Sequence, residues 1–131
     1  MSESATTALS AEQVQPLLEE LATWGHTTTI VIHEGCVFEF KGPFPAGSVA
    51  EGYYNLDGPV PGFHGHLNLK RIARVGFQDK PHRGRTSYAF VFENADGDAV
   101  FKVFLGRDDS GDLLPEQVGR FMAIRDTQHI N

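Results

Sequence analysis

Phe101-Lys102-Val103-Phe104-Leu105-Gly106-Arg107-Asp108-Asp109, running after three further residues into Leu113-Leu114-Pro115-Glu116-Gln117-Val118-Gly119-Arg120-Phe121, decides how this chain is read. Apolar side chains up to Leu105 recur at the spacing of a half-buried strand, whose residues point alternately to its two faces. A charged turn follows. Leu114, Val118, Phe121 and Met122 then fall at helical spacing and predict a buried stripe, with Pro115 tolerated in the first turn. Strand, turn and helix explain the spacing, but not why the turn should be Gly-Arg-Asp-Asp followed by Leu-Leu-Pro-Glu-Gln. On local grounds Arg107, Asp108 and Asp109 cap and orient the last helix, with their charges largely solvated.

Upstream, a strand over 86–93 joins Ala99–Leu105 through an Ala95-Asp96-Gly97 turn. Tyr88, Phe90 and Phe92 share one face, as do Phe101 and Val103, while Val91, Val100 and Phe104 occupy the opposite faces. Both faces are apolar. A sheet covered by helices on one side needs only one such face, so the second is expected to cover a ligand, a second sheet or another subunit.

Further strands are predicted over 27–32, 36–41, 52–56, 63–68 and 73–78, with Glu34-Gly35 and Asp57-Gly58-Pro59 as turns that favour antiparallel hairpins. Residues 42–47, with two prolines and two glycines, predict a loop. Ser10-Ala11-Glu12-Gln13 resembles a capping box ahead of Val14, Leu17, Leu18, Leu21 and Ala22, a helix that stops by Gly25. Pro16 demands either a kink or a start near Gln15. No repeat or linker divides the chain, so a single domain over 10–131 is expected after a disordered start over 1–9.

The length of 131 residues suits one core, able to bury about two thirds of the unfolded surface without disulfides. Lys+Arg 11 against Asp+Glu 17 makes the chain acidic, which argues against nucleic acid or anionic membrane as a partner. Cys36 is the single cysteine, so no intrachain bridge or zinc finger can form, and a reducing, cytoplasmic setting is expected. Residues 1–8 lack both a basic stretch and an apolar run of signal-peptide length.

Two stretches carry candidate chemistry. Phe63-His64-Gly65-His66 places two imidazoles at i and i+2, on one face of a strand, which is half of a metal site or else a solvated histidine beside a hydrogen-bonded one. His33, near the hairpin tip, reads as a solvated turn residue. Lys80-Pro81-His82-Arg83-Gly84-Arg85 is a basic loop that either holds carboxylates or phosphates or keeps a sheet edge soluble. No phosphate cradle, dinucleotide fingerprint, serine elbow or zincin motif is present, so no catalytic residue is assigned.

Several segments, taken in order, resemble the HutX/ChuX family of bacterial cytosolic heme-utilisation carriers. They are Thr28-Thr29-Ile30-Val31, Val37-Phe38-Glu39-Phe40-Lys41-Gly42, Gly52-Tyr53-Tyr54-Asn55-Leu56, Gly65-His66-Leu67, Lys80-Pro81 with Gly84-Arg85, and the block from Phe101 to Phe121. The resemblance implies an α+β fold, an antiparallel β-sheet with flanking N- and C-terminal helices, pairing as a homodimer that resembles a fused double-repeat heme protein. It implies heme as the ligand, which asks for an axial donor, apolar walls and cations for its propionates.

By the same resemblance His66 falls on the family's Gly-His-(Ile/Leu) motif and is the first candidate for the heme iron, the only metal implied. His33 and His64 are further axial candidates. Some members place the first-hairpin histidine one position earlier, where this chain has Ile32. Lys80, His82, Arg83 and Arg85 are propionate or pocket candidates, in a loop that replaces the family's Arg-Pro-Phe-Met-Gly. Tyr54 and Tyr88, with Tyr53, are pocket residues or alternative oxygen ligands. The implied function is non-catalytic intracellular heme trafficking, with a heme-degrading enzyme or a heme transporter component as a further partner. The alternatives are a heme-degrading enzyme, or a dimeric module that holds another apolar or carboxylate ligand.

Overall fold

Period-two alternation lays down the main sheet. A computed structural model describes residues 8–130. Its strands are β1 (Leu9–Ser10), β2 (His26–His33), β3 (Cys36–Pro43), β4 (Gly47–Ala50), β5 (Tyr53–Leu56), β6 (Gly65–Leu67), β7 (Arg74–Asp79), β8 (Tyr88–Glu93) and β9 (Ala99–Leu105). Two α-helices, α1 (Val14–Leu21) and α2 (Pro115–Thr127), complete an α+β fold. Six strands run in the order β1-β7-β8-β9-β2-β3 and three more in the order β4-β5-β6, every pairing antiparallel.

One face of the six-stranded sheet carries Leu9, Val75, Phe90, Phe92, Phe101, Val103 and Leu105, all buried, and both helices lie on it. Phe121 of α2 packs its ring against Phe77, Tyr88 and Phe90, with centroids 5.0–5.5 Å away. Burying a side chain of this size contributes about 2–3 kcal/mol, so the aromatic cluster fixes where α2 sits. Among the described residues no α-helix covers the opposite face. Thr28, Ile30, Val91, Lys102 and Phe104 lie there half-buried, and Ile32 and Val37 stand exposed. Burial and the neighbouring Lys80 together hold the Lys102 ammonium below the usual lysine range.

Several local expectations need correction. Of the predicted disordered start, residues 1–7 lie outside the described ones, but Leu9 pairs with Val75 and is fully buried. A large apolar side chain next to a sheet edge gains more from burial than its backbone loses in freedom. The predicted loop over 42–47 shrinks, because β3 runs through Pro43 and β4 begins at Gly47. Pro43 ends an edge strand, where its missing N–H breaks no ladder. At Pro16 the second of the two expectations holds: α1 starts at Val14, next to Gln15, so the proline lies unkinked in the first turn, where backbone N–H groups have no intrahelical acceptor.

The buried side of α2 is Gln117, Phe121 and Ile124, with Val118 and Met122 half-buried, rather than the apolar stripe led by Leu114. The charged turn also has a different task. Arg107 donates to Thr86 O and, at 3.0 Å, to Gly111 O, while Asp108 Oδ1 accepts from Ser110 N and Asp112 N. It ties the 108–112 loop to residue 86 and supplies no side-chain cap to α2.

Candidate functional site

The three-stranded sheet positions the histidines. Its register sets Asn55 opposite His66 and Tyr54 opposite Leu67, so alternation sends Tyr54, Leu56 and Leu67 to one face and Tyr53, Asn55 and His66 to the other. Tyr54 and Leu56 are buried, whereas His64 and His66 are exposed. The two imidazoles meet edge to face with centroids 5.5 Å apart, and Tyr53 approaches His66 at 6.5 Å. His66 Nδ1 lies 2.7 Å from Asn55 Oδ1.

His64 and His66 border an aromatic hollow of about 220 Å³, whose walls include Thr29, Val31, Phe40 and Phe63. Phe63 stacks on Phe40 at 4.7 Å and meets Phe44 edge-on at 5.7 Å. Stacked and edge-on pairs of this kind add about 1 kcal/mol each beyond area burial, so the walls are set before any ligand arrives. Thr29 Oγ1 is buried there with no hydrogen-bond partner among the described residues. Such an orphan costs about 1–3 kcal/mol and marks a place where a polar atom or water would be stabilised.

His33 shares a face with Thr29 and Val31. Glu34 and Gly35 form a two-residue turn, both with left-handed φ (52° and 82°), which closes β2 on β3 with His33 opposite Cys36. Period two then places His33 on the side of the hollow and Ile32 on the other.

The basic loop lies elsewhere. A second hollow, of about 410 Å³, has His82, Lys41 and Arg107 around Thr28, Ile30 and Phe104. Thr28 and Ile30 alternate with the Thr29 and Val31 of the first hollow, so the two open on opposite faces of β2. One chain therefore brings His64, His66 and the aromatic walls together, but not His66 with His82. Arg85 is already engaged, donating to Gly111 O at 2.6 Å and lying 3.7 Å from Asp112. Lys80 and Arg83 are exposed, with Arg83 in a left-handed turn conformation.

Two tyrosine candidates belong to the packing. Tyr54 is fully buried, and burial followed by the charges of Glu19 and Asp57 raises its phenol above the usual range. Tyr88 packs against Phe121 under α2. Only Tyr53 is exposed next to His66. The residues that sequence reasoning missed are Asn55 and Thr29; pairing the 52–56 and 63–68 segments by their period-two pattern would have set Asn55 against His66.

A third cleft, of about 520 Å³, separates α1 from α2. Its polar walls satisfy one another, since Glu20 Oε2 accepts from Trp24 Nε1 at 2.9 Å and from Arg120 Nη2 at 3.0 Å. Among the described residues no three His, Cys, Asp or Glu side chains gather to hold a metal ion, and no helix is long and apolar enough to cross a membrane.

The chain is similar to known proteins along most of its length. The family model described as Haem utilisation ChuX/HutX matches residues 7–124. The intracellular heme transport protein HutX of Vibrio cholerae serotype O1 is 46% identical over 123 residues, which are 94% of this chain and 64% of that protein. The chain thus spans somewhat less than two thirds of the length of that relative. The structure of the heme-binding protein ChuX superposes with a TM-score of 0.84 at 30% identity, covering 93% of this chain and 76% of that one. ChuS, an Escherichia coli heme oxygenase, shares the fold at 20% identity, with a TM-score of 0.73 over 90% of this chain and 36% of its own.

Proposed function

The chain belongs to the Haem utilisation ChuX/HutX family, and from that premise we propose that it binds heme inside the cell and carries it without altering it, working as a homodimer. The observation that carries this reading is the aromatic hollow bordered by His64 and His66, both of them exposed. Heme is an apolar disc whose iron takes an axial nitrogen; the hollow supplies aromatic walls, and His66 at its border an exposed imidazole. The relatives HutX and ChuX, described as a heme transporter and a heme-binding protein, support the same cargo.

The homodimer part of the proposal rests on two features. A hollow of about 220 Å³ falls below the roughly 300–1,000 Å³ usual for a pocket that encloses a ligand, so one chain would shelter only part of the disc. The uncovered sheet face around Ile30, Val91 and Phe104 gives a second copy an apolar surface to bury. His66 is the axial residue in this reading, and His33 and His64 are the reserve donors.

Hemin titration tests it. The wild-type protein should develop a shifted Soret band at micromolar hemin, and His66→Ala should lose or displace that band. An unchanged band in His66→Ala would remove the site assignment. Adding a reductant under air tests the carrier role: heme that survives supports transport, and conversion to a linear tetrapyrrole would overturn it in favour of degradation.

A further inference from the structure

We infer that Asn55 is a positioning residue for His66, fixing the imidazole in the form with Nδ1 protonated and the Nε2 lone pair free for iron; this rests on the heme reading above. The inference starts from the amide. Asn55 Nδ2 faces three backbone carbonyls, of Ser48 at 3.3 Å, Ala50 at 3.2 Å and Tyr53 at 3.4 Å. An amide nitrogen donates and an amide oxygen only accepts, so turning the group over would set Oδ1 against three acceptors. The side chain has one sensible orientation.

With the amide fixed, the atom 2.7 Å from His66 Nδ1 is an oxygen that can only accept. Nδ1 must therefore carry the proton, and in the neutral ring Nε2 is left without one. Free histidine in water favours the opposite form, so the strand partner reverses an intrinsic preference. The backbone enforces the geometry, because Asn55 and His66 are register partners between β5 and β6. The other rings around His66, those of His64 and Tyr53, meet it edge to face with centroids 5.5 and 6.5 Å away, and among the described residues the hydrogen bond of Nδ1 is the one to Asn55.

Metal-binding imidazoles are commonly held in this way, by an acceptor on the nitrogen that does not bind the metal, and losing that acceptor weakens binding about 10–100-fold. The contact does not serve packing in the same sense. Asn55 and His66 lie on the face of the small sheet that points away from the buried Tyr54 and Leu56, so the bond stabilises an orientation more than a core.

Long-range proton–nitrogen NMR correlation on the full chain without heme, in mildly alkaline buffer, reads the ring directly. The wild type should show His66 with Nδ1 protonated and Nε2 bare. Asn55→Ala should move the ring towards the Nε2-protonated form. Hemin affinity should fall about 10–100-fold in Asn55→Ala.

A wild-type spectrum with Nε2 protonated, or an Asn55→Ala spectrum indistinguishable from wild type, would overturn the inference without any ligand being added. Unchanged hemin affinity in Asn55→Ala, with the ring visibly altered, would overturn the positioning role. Wild-type protein that shows the expected ring form but binds no hemin would instead sink the heme reading. The orientation by Asn55 would then stand alone.

Discussion

Gln117 in α2 and His26 at the start of β2, 91 residues apart in sequence, are joined by a 2.8 Å hydrogen bond from Gln117 Nε2 to the His26 carbonyl. The same amide nitrogen donates to Trp24 O at 3.0 Å, and Gln117 Oε1 accepts from Gly106 N at 2.7 Å. One buried side chain thus satisfies three backbone groups at the point where α1, β2, β9 and α2 converge.

Replacing Gln117 with Leu leaves those three groups without partners in a dry site, at a cost of about 2–4 kcal/mol. Glu at the same position should cost at least as much, because a carboxylate would face two carbonyl oxygens. Urea unfolding is the measurement: a lowered midpoint with an unchanged slope is expected for both variants.

Gly106 is required by proximity. A Cβ there would collide with the His26 carbonyl, a backbone atom that cannot swing aside. Gly106→Ala should destabilise by about 3 kcal/mol through the forced backbone shift. A melting temperature within one degree of wild type would contradict this account.

How much of this could be read from sequence depends on what each residue answers to. The strands 99–105 and 36–41 and both helices were legible, because burial on one side imposes a period on the chain. The end of β3 and the start of β4 were not, since the prolines flanking Phe44 read as breakers and the edge position that tolerates Pro43 is a tertiary fact. The Gly-Arg-Asp-Asp…Leu-Leu-Pro-Glu-Gln block was conspicuous without being intelligible. Its logic is long-range: Arg107 reaches Thr86, Gly106 touches His26, and Gln117 spans all three strand and helix ends. His66 could be singled out from its motif, but its acceptor lies on another strand. The separation of His66 from His82 rests on which face each strand residue takes, which the motifs alone do not reveal.

Alkaline pH should weaken the fold through Tyr54. Burial raises its phenol above the ordinary value, so the folded chain keeps a proton that the unfolded chain releases. The stability this contributes is present below about pH 10 and is lost as pH rises from there through the folded-state value. Of the three tyrosines, Tyr54 should ionise only as the chain unfolds, seen as tyrosinate absorbance rising together with loss of circular dichroism. Tyr54→Phe should remove this component of the alkaline limb, so a limb identical to wild type would disprove the assignment.

Self-association should depend on the uncovered sheet face. Phe104→Glu places a charge among Ile30, Val91 and Ala89, where a pairing chain would have to desolvate it. Sedimentation should then give the mass of one chain where the wild type gives two. A Phe104→Glu protein that still sediments as a pair would place the interface elsewhere.

The two hollows set back to back across β2 make that strand unusually intolerant of insertion and deletion. Adding or removing one residue between Thr28 and Val31 would turn every following side chain of the strand through half a turn, exchanging the aromatic wall for the face that bears Ile30. Length variation in this chain should therefore collect in the connection before β6 and in the tip around Arg83, while β2 changes only by substitution. For anyone grafting this domain or building a fused tandem from it, β2 is the segment whose residue count must be preserved.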